Sequence, residues 1–464
     1  MKRLTGSDAT FLYLQNASSH MEVSAVVLID PSEIDGGFSF ARAREVIATR
    51  LHLVPPFRRR LVHVPFELDI PRWIEDPDFD LDYHVRRAAL PAPGGRAELD
   101  DFVGQVLSRP LDLARPLWEL YVVEGLDDGR IAIVSKTHHA AVDGVSGTDL
   151  LASLVDLSAD APDPEPPAEP WQPDDVPSQV ELLLDSVGGL VRQPWRGIKA
   201  TQRLVRTMAK DQLTRFQPTP VTAAFDSPST PFNTTCTPHR LVNLFEIPMA
   251  DLKTVKNAAG TSLNDALLAT VGGALRSYLL DRDELPTSPL VAFVPVSTRE
   301  GSAGGEGGNE TSVVFSTLAT DLDDPLERLA RISEAMTAAK EQHAEVGAAT
   351  ITDWTAIAGP AGAALAGRFI SRFRINELIR ASANVVVSNI PGPPVPLYIA
   401  GAKVDAIYPL GPVADGSALN VTVMSYLDTM YVGLAADRAA VPDVDAIGTL
   451  LQESLAELVK LTTS

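Results

Sequence analysis

The stretch from Ser158 to Ser178 (SADAPDPEPPAEPWQPDDVPS) resists folding into a core, because its prolines lack backbone donors and its carboxylates resist burial. It reads as a linker that divides the 464 residues into two bodies. That length exceeds one ordinary core and suits two domains of roughly 150–220 residues. We expect a first half over 1–157, a connector over 158–239 and a second half over 240–464, opening near Arg240-Leu-Val-Asn-Leu-Phe-Glu. No short-period repeat interrupts either half.

Strand and helix patterns are mixed on both sides of the linker. Met21 to Asp30 alternates as a strand, and Phe40 to Leu53 has helical spacing. Leu117 to Glu124 and Ile131 to Lys136 are apolar runs separated by a turn containing Asp128-Gly129, which predicts a hairpin. Val145 to Leu157 then reads as a helix. In the second half Ser262 to Leu280 and Asp443 to Leu461 predict helices. Leu290 to Val296, Ser312 to Leu318, Asn384 to Ser388, Leu419 to Tyr426 and Met430 to Ala435 predict strands. Such a mixture implies α/β layers. The connector, from Gln179 to Gln217, predicts two helical pieces broken near Pro194. Arg196, Lys199, Arg203, Arg206 and Lys210 form a basic stripe on the second piece, next to Trp195, Ile198 and Val205.

Charge and cysteine content exclude several functions. A net charge of −21 argues against a nucleic-acid partner, which needs a basic footprint. Cys236 is the only cysteine, so intrachain disulfides, CxxC redox pairs and multi-cysteine zinc sites are ruled out; it reads as structural. The opening MKRLTGSDATFLYLQ lacks a signal peptide's apolar core, and no run reaches the roughly 18–20 apolar residues of a membrane span. A cytoplasmic protein is expected. The Gly301 to Gly308 loop has no following Lys-Ser/Thr, so it is a connector and no P-loop.

The chemistry concentrates where the second hairpin strand runs into Thr137-His138-His139, followed by Ala-Ala-Val-Asp143-Gly144. Adjacent histidines on an extended segment point to opposite faces, and no HExxH motif exists, so a metal site is a poor reading. Ser146 sits in Gly144-Val-Ser-Gly147 and not in a nucleophile elbow. A histidine used directly as a base remains. A neutral imidazole suits deprotonation of a bound hydroxyl near pH 7, and a thioester donor is active enough to need no enzyme nucleophile.

These residues carry a family likeness. The sequence resembles the bacterial wax ester synthase/diacylglycerol acyltransferases, within the HHxxxDG superfamily that includes chloramphenicol acetyltransferase and peptide-synthetase condensation domains. The likeness spans nearly the whole chain: Ser7-Asp-Ala-Thr-Phe-Leu-Tyr-Leu, Phe79-Asp-Leu-Asp-Tyr-His84-Val, Ser108-Arg-Pro-Leu-Asp112, Arg115-Pro-Leu-Trp118-Glu119, HHAAVDG, Leu263-Asn264-Asp265, Pro295-Val-Ser-Thr-Arg299 with Gly308-Asn309, and Ser388-Asn389-Ile-Pro-Gly392-Pro. One departure is Met21-Glu22, where the family often has Met-His.

The resemblance implies two chloramphenicol-acetyltransferase-like halves, each a mixed sheet flanked by helices, around a channel. Acyl-CoA is then a substrate, no cofactor is needed, and the acceptor is diacylglycerol or a long-chain alcohol. His139 is the expected base, with His138 beside it as a second catalytic residue of the motif. Asp143 is expected to brace the loop, with Arg299 as its candidate partner, and Gly144 to line the substrate site. Asn264, Ser388, Asn389 and Gly392 are expected to face substrate, the last three holding the thioester oxygen or pantetheine. Trp118 reads as core, and Asp265 as half of a capping box with Ser262. A lipid substrate would be met peripherally, at the inner membrane or a droplet surface, for which the basic stripe is suited. The competing readings are a condensation-type transferase with another donor or acceptor, and a non-catalytic lipid-surface protein.

Overall fold

The computed structural model describes residues 1–34, 37–142, 153–192, 227–297, 311–346 and 383–463. The first part contains β1 (Lys2–Arg3), α1 (Gly6–Leu14), β2 (Glu22–Asp30), α2 (Phe40–Arg50), β3 (Arg59–Val62), β4 (Arg72–Glu75), β5 (Val85–Ala89), α3 (Arg96–Leu107), β6 (Trp118–Glu124) and β7 (Ile131–His138). Helix α4 (Gln179–Arg192) follows the linker. The second part contains β8 (Arg240–Pro248), α5 (Met249–Ala259), α6 (Leu263–Leu280), β9 (Val291–Ser297), β10 (Thr311–Thr317), α7 (Pro325–Val346), β11 (Val385–Ile390), β12 (Tyr398–Ile399), β13 (Ala402–Leu410), β14 (Leu419–Tyr426), β15 (Thr429–Asp437) and α8 (Val444–Thr463).

Two six-stranded mixed sheets organise these elements. The first runs β12-β13-β2-β7-β6-β5 and the second β10-β9-β11-β14-β15-β8, while β1, β4 and β3 form a small antiparallel sheet. Strand β7 lies inside the first sheet, and seven of its eight residues are buried. That explains its Ile-Ala-Ile-Val run without alternation: a strand covered on both faces needs apolar side chains on both. The expected hairpin holds β6 to β7, with Gly125 and Gly129 at positive φ in the turn.

The chain leaves the second sheet after β11, adds β12 and β13 to the first sheet, and returns through β14. Strand β13 pairs antiparallel with β2, with Tyr408 opposite Val26. Residues 398–410, inside the continuous second half read from sequence, therefore complete the other sheet. Their apolar pattern says that they are buried but not beside which strand.

The two parts also meet along α3 and β8. A Cβ on Gly104 would stand 2.9 Å from the Arg240 carbonyl oxygen, so glycine allows this helix to lie against the strand. The linker is better anchored than its composition suggests. Trp171 donates to Glu75 at 2.9 Å, lies under the Arg58 guanidinium and meets Phe79 edge-on, and the Asp174 N–H donates to the Glu75 carbonyl. An aromatic residue and a backbone ladder contact at Asp174 together hang this proline-rich segment on β4. Among the described residues no helix is long and apolar enough to cross a membrane.

Candidate active site

Strand β7 ends on His138, and His139 opens a short 3-10 turn, His139–Val142. Backbone bonds pin both residues. The His138 N–H donates to the Leu117 carbonyl at 3.0 Å, and the His139 N–H donates to the Met21 carbonyl at 2.8 Å. Glu22 stands opposite His138 in the β2–β7 register.

The two rings have different surroundings. His138 is fully buried. Its Nδ1 accepts the Ala140 N–H at 3.0 Å, so the ring proton sits on Nε2, which donates to Gln15 Oε1 at 2.6 Å. Burial, reinforced by His139 beside it, pulls the His138 pKa down to about 3. With both nitrogens occupied and no tendency to charge, this ring can brace the turn but has no lone pair for a substrate proton.

The His139 ring is half-buried and stacks on Phe11, with centroids 3.8 Å apart and planes 15° from parallel. Burial lowers its pKa, while a hydrogen bond to the residue's own backbone acts in the opposite direction. Of the two ring nitrogens only Nδ1, next to Cγ, can reach that backbone. The ring is neutral at pH 7 and can accept a proton there.

A buried ion pair supports this strand end. Lys136 Nζ lies 3.6 Å from Glu22 and donates to the Val106 carbonyl at 3.2 Å and to that of Arg109. Glu22 accepts the Leu111 N–H at 2.6 Å. Burial raises the Glu22 pKa, and Lys136 opposes the rise. The departure from Met-His thus installs a carboxylate that ties β2 to the segment after α3.

Residues of the second part secure the loop behind α1. Asn16 donates to Asp415 at 3.0 Å, and the Asp415 N–H donates to Ser19 Oγ at 3.0 Å. The buried Arg240 guanidinium donates to the Ser18 carbonyl and lies 3.5 Å from Asp437. Its backbone N–H donates to Ser108 Oγ at 2.8 Å.

Ser388 and Asn389 lie half-buried on β11. This strand pairs with β14 from Val386 to Ile390 but with β9 only at Val385 and Val386. Beyond that point the parallel strands part, so the β11 edge carrying Ser388 and Asn389 is no longer bonded to β9. At Gly392 a Cβ would fall 1.9 Å from the Ser425 carbonyl oxygen, and the Gly392 N–H donates to Ser425 Oγ at 3.0 Å. Only glycine fits this turn.

Trp118 is core, as its sequence position suggested. It stacks on Phe57 and His84 and donates to the Phe57 carbonyl at 2.8 Å. Ser262 and Asp265 form the predicted capping box, and Ser333 also donates to Asp265. Asn264 is half-buried in the first turn of α6. Asp143, Gly144, Arg299 and the basic stripe of 196–210 lie outside the described residues. Among the described residues no three or more His, Cys, Asp or Glu converge as metal ligands.

Phe11 and Gln15 were missed as site residues. Their spacing of four, which puts both on one helix face, was the available signal. Nothing local linked them to histidines more than 120 residues away.

The profile of the wax ester synthase/diacylglycerol acyltransferase catalytic domain matches residues 4–267, and that of the family's C-terminal domain matches residues 307–459. The chain belongs to this family. It is accordingly an acyltransferase of neutral-lipid metabolism. Among similar proteins, two from Mycobacterium tuberculosis named as diacylglycerol O-acyltransferases are 34% and 38% identical over 461 and 460 residues. The alignments cover 99% and 95% of this chain and 90% and 93% of those proteins. The solved wax ester synthase/diacylglycerol acyltransferase of Marinobacter aquaeolei is 29% identical, with a TM-score of 0.72 and full coverage of both chains. A starter condensation domain of rhizomide synthetase, 13% identical with a TM-score of 0.53 over 100% of this chain and 94% of its own, shares the fold. The architecture is thus that of two condensation-like α/β domains.

Proposed function

We propose that this acyltransferase moves a fatty acyl group directly from acyl-CoA to a lipid alcohol, diacylglycerol or a long-chain alcohol, with His139 as general base. The observation that carries this reading is the division between the histidines: His138 has both nitrogens engaged within the protein, whereas His139 is neutral, half-buried and stacked on Phe11. The names of the relatives support the substrate class.

In the proposed reaction Nε2 removes the alcohol proton as the oxygen attacks the thioester carbonyl. The tetrahedral intermediate collapses, the C–S bond breaks, and the imidazolium returns the proton to the departing sulfur, giving ester and free CoA. A base so placed contributes roughly a hundred- to ten-thousandfold. Ser388, Asn389 and Gly392, on the edge of β11 beyond its pairing with β9 and in its turn, are the proposed contacts for the thioester oxygen or pantetheine, with Asn264 and Gly144 as further proposed substrate contacts. Asp143 and Arg299 are the proposed brace of the loop. Peripheral attachment through the basic stripe completes the reading, since a lipid acceptor must be met at a surface.

Steady-state assays with acyl-CoA and vesicles carrying either diacylglycerol or hexadecanol test the mechanism. Intersecting double-reciprocal lines, no acylated peptide by mass spectrometry, and flotation of the protein with the vesicles are expected. Parallel lines together with an acyl-enzyme would refute direct transfer, and failure to float would refute surface attachment.

A further inference from the structure

We infer that Phe11 is a positioning residue whose aromatic face holds the His139 ring and stabilises the imidazolium formed when that ring takes a proton. The inference rests on His139 being the base, and extends that reading to a residue on a separate element.

Helix α1 is built to present this face. Thr5 caps its N-terminus by accepting the Asp8 N–H, Asp8 is itself buried, and the Gln15 N–H closes the last turn on the Phe11 carbonyl. Residues four apart share a helix face, so Phe11 meets His139 while Gln15 receives the His138 proton. The loop after α1 is fixed by Asn16, Ser18 and Ser19 to Asp415 and Arg240. A helix held at both ends keeps the Phe11 backbone in place beside the histidine.

The geometry has an electrostatic consequence. At 3.8 Å between centroids and near-parallel planes, the imidazole lies over the negative face of the phenyl ring, well inside the roughly 6 Å range of a cation–π contact. A neutral imidazole gains little from that face, whereas an imidazolium gains more. The contact therefore strengthens as proton transfer proceeds, which is the condition for accelerating a step and not merely for binding. It also answers a cost of the site: an imidazolium in a half-buried place needs a partner.

The charged and titratable groups on the elements around the ring are accounted for otherwise. His138 on β7 is neutral and doubly bonded, and Glu22 and Lys136 face each other. His20 is bonded to two carbonyls, Asp8 lies in the first turn of α1, Tyr13 belongs to the same helix, and Arg58 lies over Trp171. Among the described residues no carboxylate pairs with the His139 ring.

Replacement of Phe11 by 4-fluoro-, 3,5-difluoro- and 3,4,5-trifluorophenylalanine in the full chain weakens the face while nearly keeping the shape. We expect kcat to fall stepwise, by about 2- to 30-fold across the series. KM for acyl-CoA and the melting temperature should hold, and the acidic limb of the kcat/KM profile should move to lower pH because the imidazolium loses support. Phe11→Trp should retain activity, and Phe11→Leu should fall as far as the most fluorinated ring. A flat series with an unmoved acidic limb, in a protein that His139→Ala inactivates, would overturn this inference and leave the base assignment standing. An active His139→Ala variant would overturn the base assignment itself.

Discussion

Strand β7 with its histidine turn, in the first sheet, and helix α6, in the second part, are both buried yet held by different forces. Helix α6 is packed on almost every side: Ala266 to Leu275 is an unbroken buried run of small and aliphatic residues, with one threonine bonded back to Ala266. Gly272 and Gly273 admit neighbours so closely that a Cβ would fall 2.5 Å from the Leu318 carbonyl oxygen and 2.2 Å from Ser454 Oγ. Around β7, by contrast, the buried groups include Lys136, Glu22 and His138, each with named polar partners. Dispersion and area burial can make α6 stable, but they are non-directional. Hydrogen bonds and ion pairs fix atoms to particular positions, at a desolvation cost. A base that must meet a hydroxyl at hydrogen-bond distance needs the second kind of support.

The sharpest way to break this contrast is to damage each region by a similar free energy. Lys136→Met leaves the Glu22 carboxylate without its counter-charge and should cost about 3–5 kcal/mol, as for loss of one member of a buried pair. Because Glu22 stands opposite His138, kcat of the folded fraction should also drop at least about tenfold, since a displacement near 1 Å can cost a hundredfold. Leu268→Ala, at a site with no solvent exposure, should cost about 2–5 kcal/mol yet leave kcat within about twofold. Denaturant unfolding paired with kcat measurements compares them. Equal losses of kcat would erase the distinction.

A smaller effect is expected where the two parts touch. Asp100 on α3 is buried and accepts the Leu244 N–H of β8 at a long 3.4 Å, and among the described residues its Oδ1 has no partner at hydrogen-bond geometry. Burial raises its pKa from 3.8 to about 7, against the opposing pull of Arg96. An acid with a raised folded pKa contributes stability that is full below about pH 4 and is lost as pH rises through about 7. Asp100→Asn keeps an acceptor for Leu244 and removes the titration. It should stabilise the protein by about 1–3 kcal/mol at pH 8 and have little effect at pH 4. Melting curves across that range check the sign; a variant less stable at pH 8 would show that the charged carboxylate is the favoured form.

How much of this was legible in the sequence depended on the range of the interactions. The hairpin leading to the histidines, the Ser262–Asp265 cap and the burial of Trp118 are local consequences of turn chemistry, capping and apolar runs, and the structure has them where the residues suggested. The crossing of β12 and β13 into the first sheet is not local: an apolar strand states that it is covered, not by which neighbour. Phe11 and Gln15 gave only a spacing, and Glu22 gave a departure from a family pattern whose compensation by Lys136 lies over a hundred residues away. Trp171 and Asp174 show that two residues can anchor a segment whose composition speaks for a loose linker.

The two adjacent histidines divide their work in the proposed mechanism, His139 reacting and His138 bracing. Ester formation by His139→Ala and His138→Ala, measured at saturating acyl-CoA on protein shown to be folded by circular dichroism, tests it directly. A loss of at least a hundredfold is expected for His139→Ala with acyl-CoA binding retained, and a smaller loss, with a lowered melting temperature, for His138→Ala. Retention of more than about a tenth of the activity by His139→Ala, or a greater loss in the His138 variant, would contradict it.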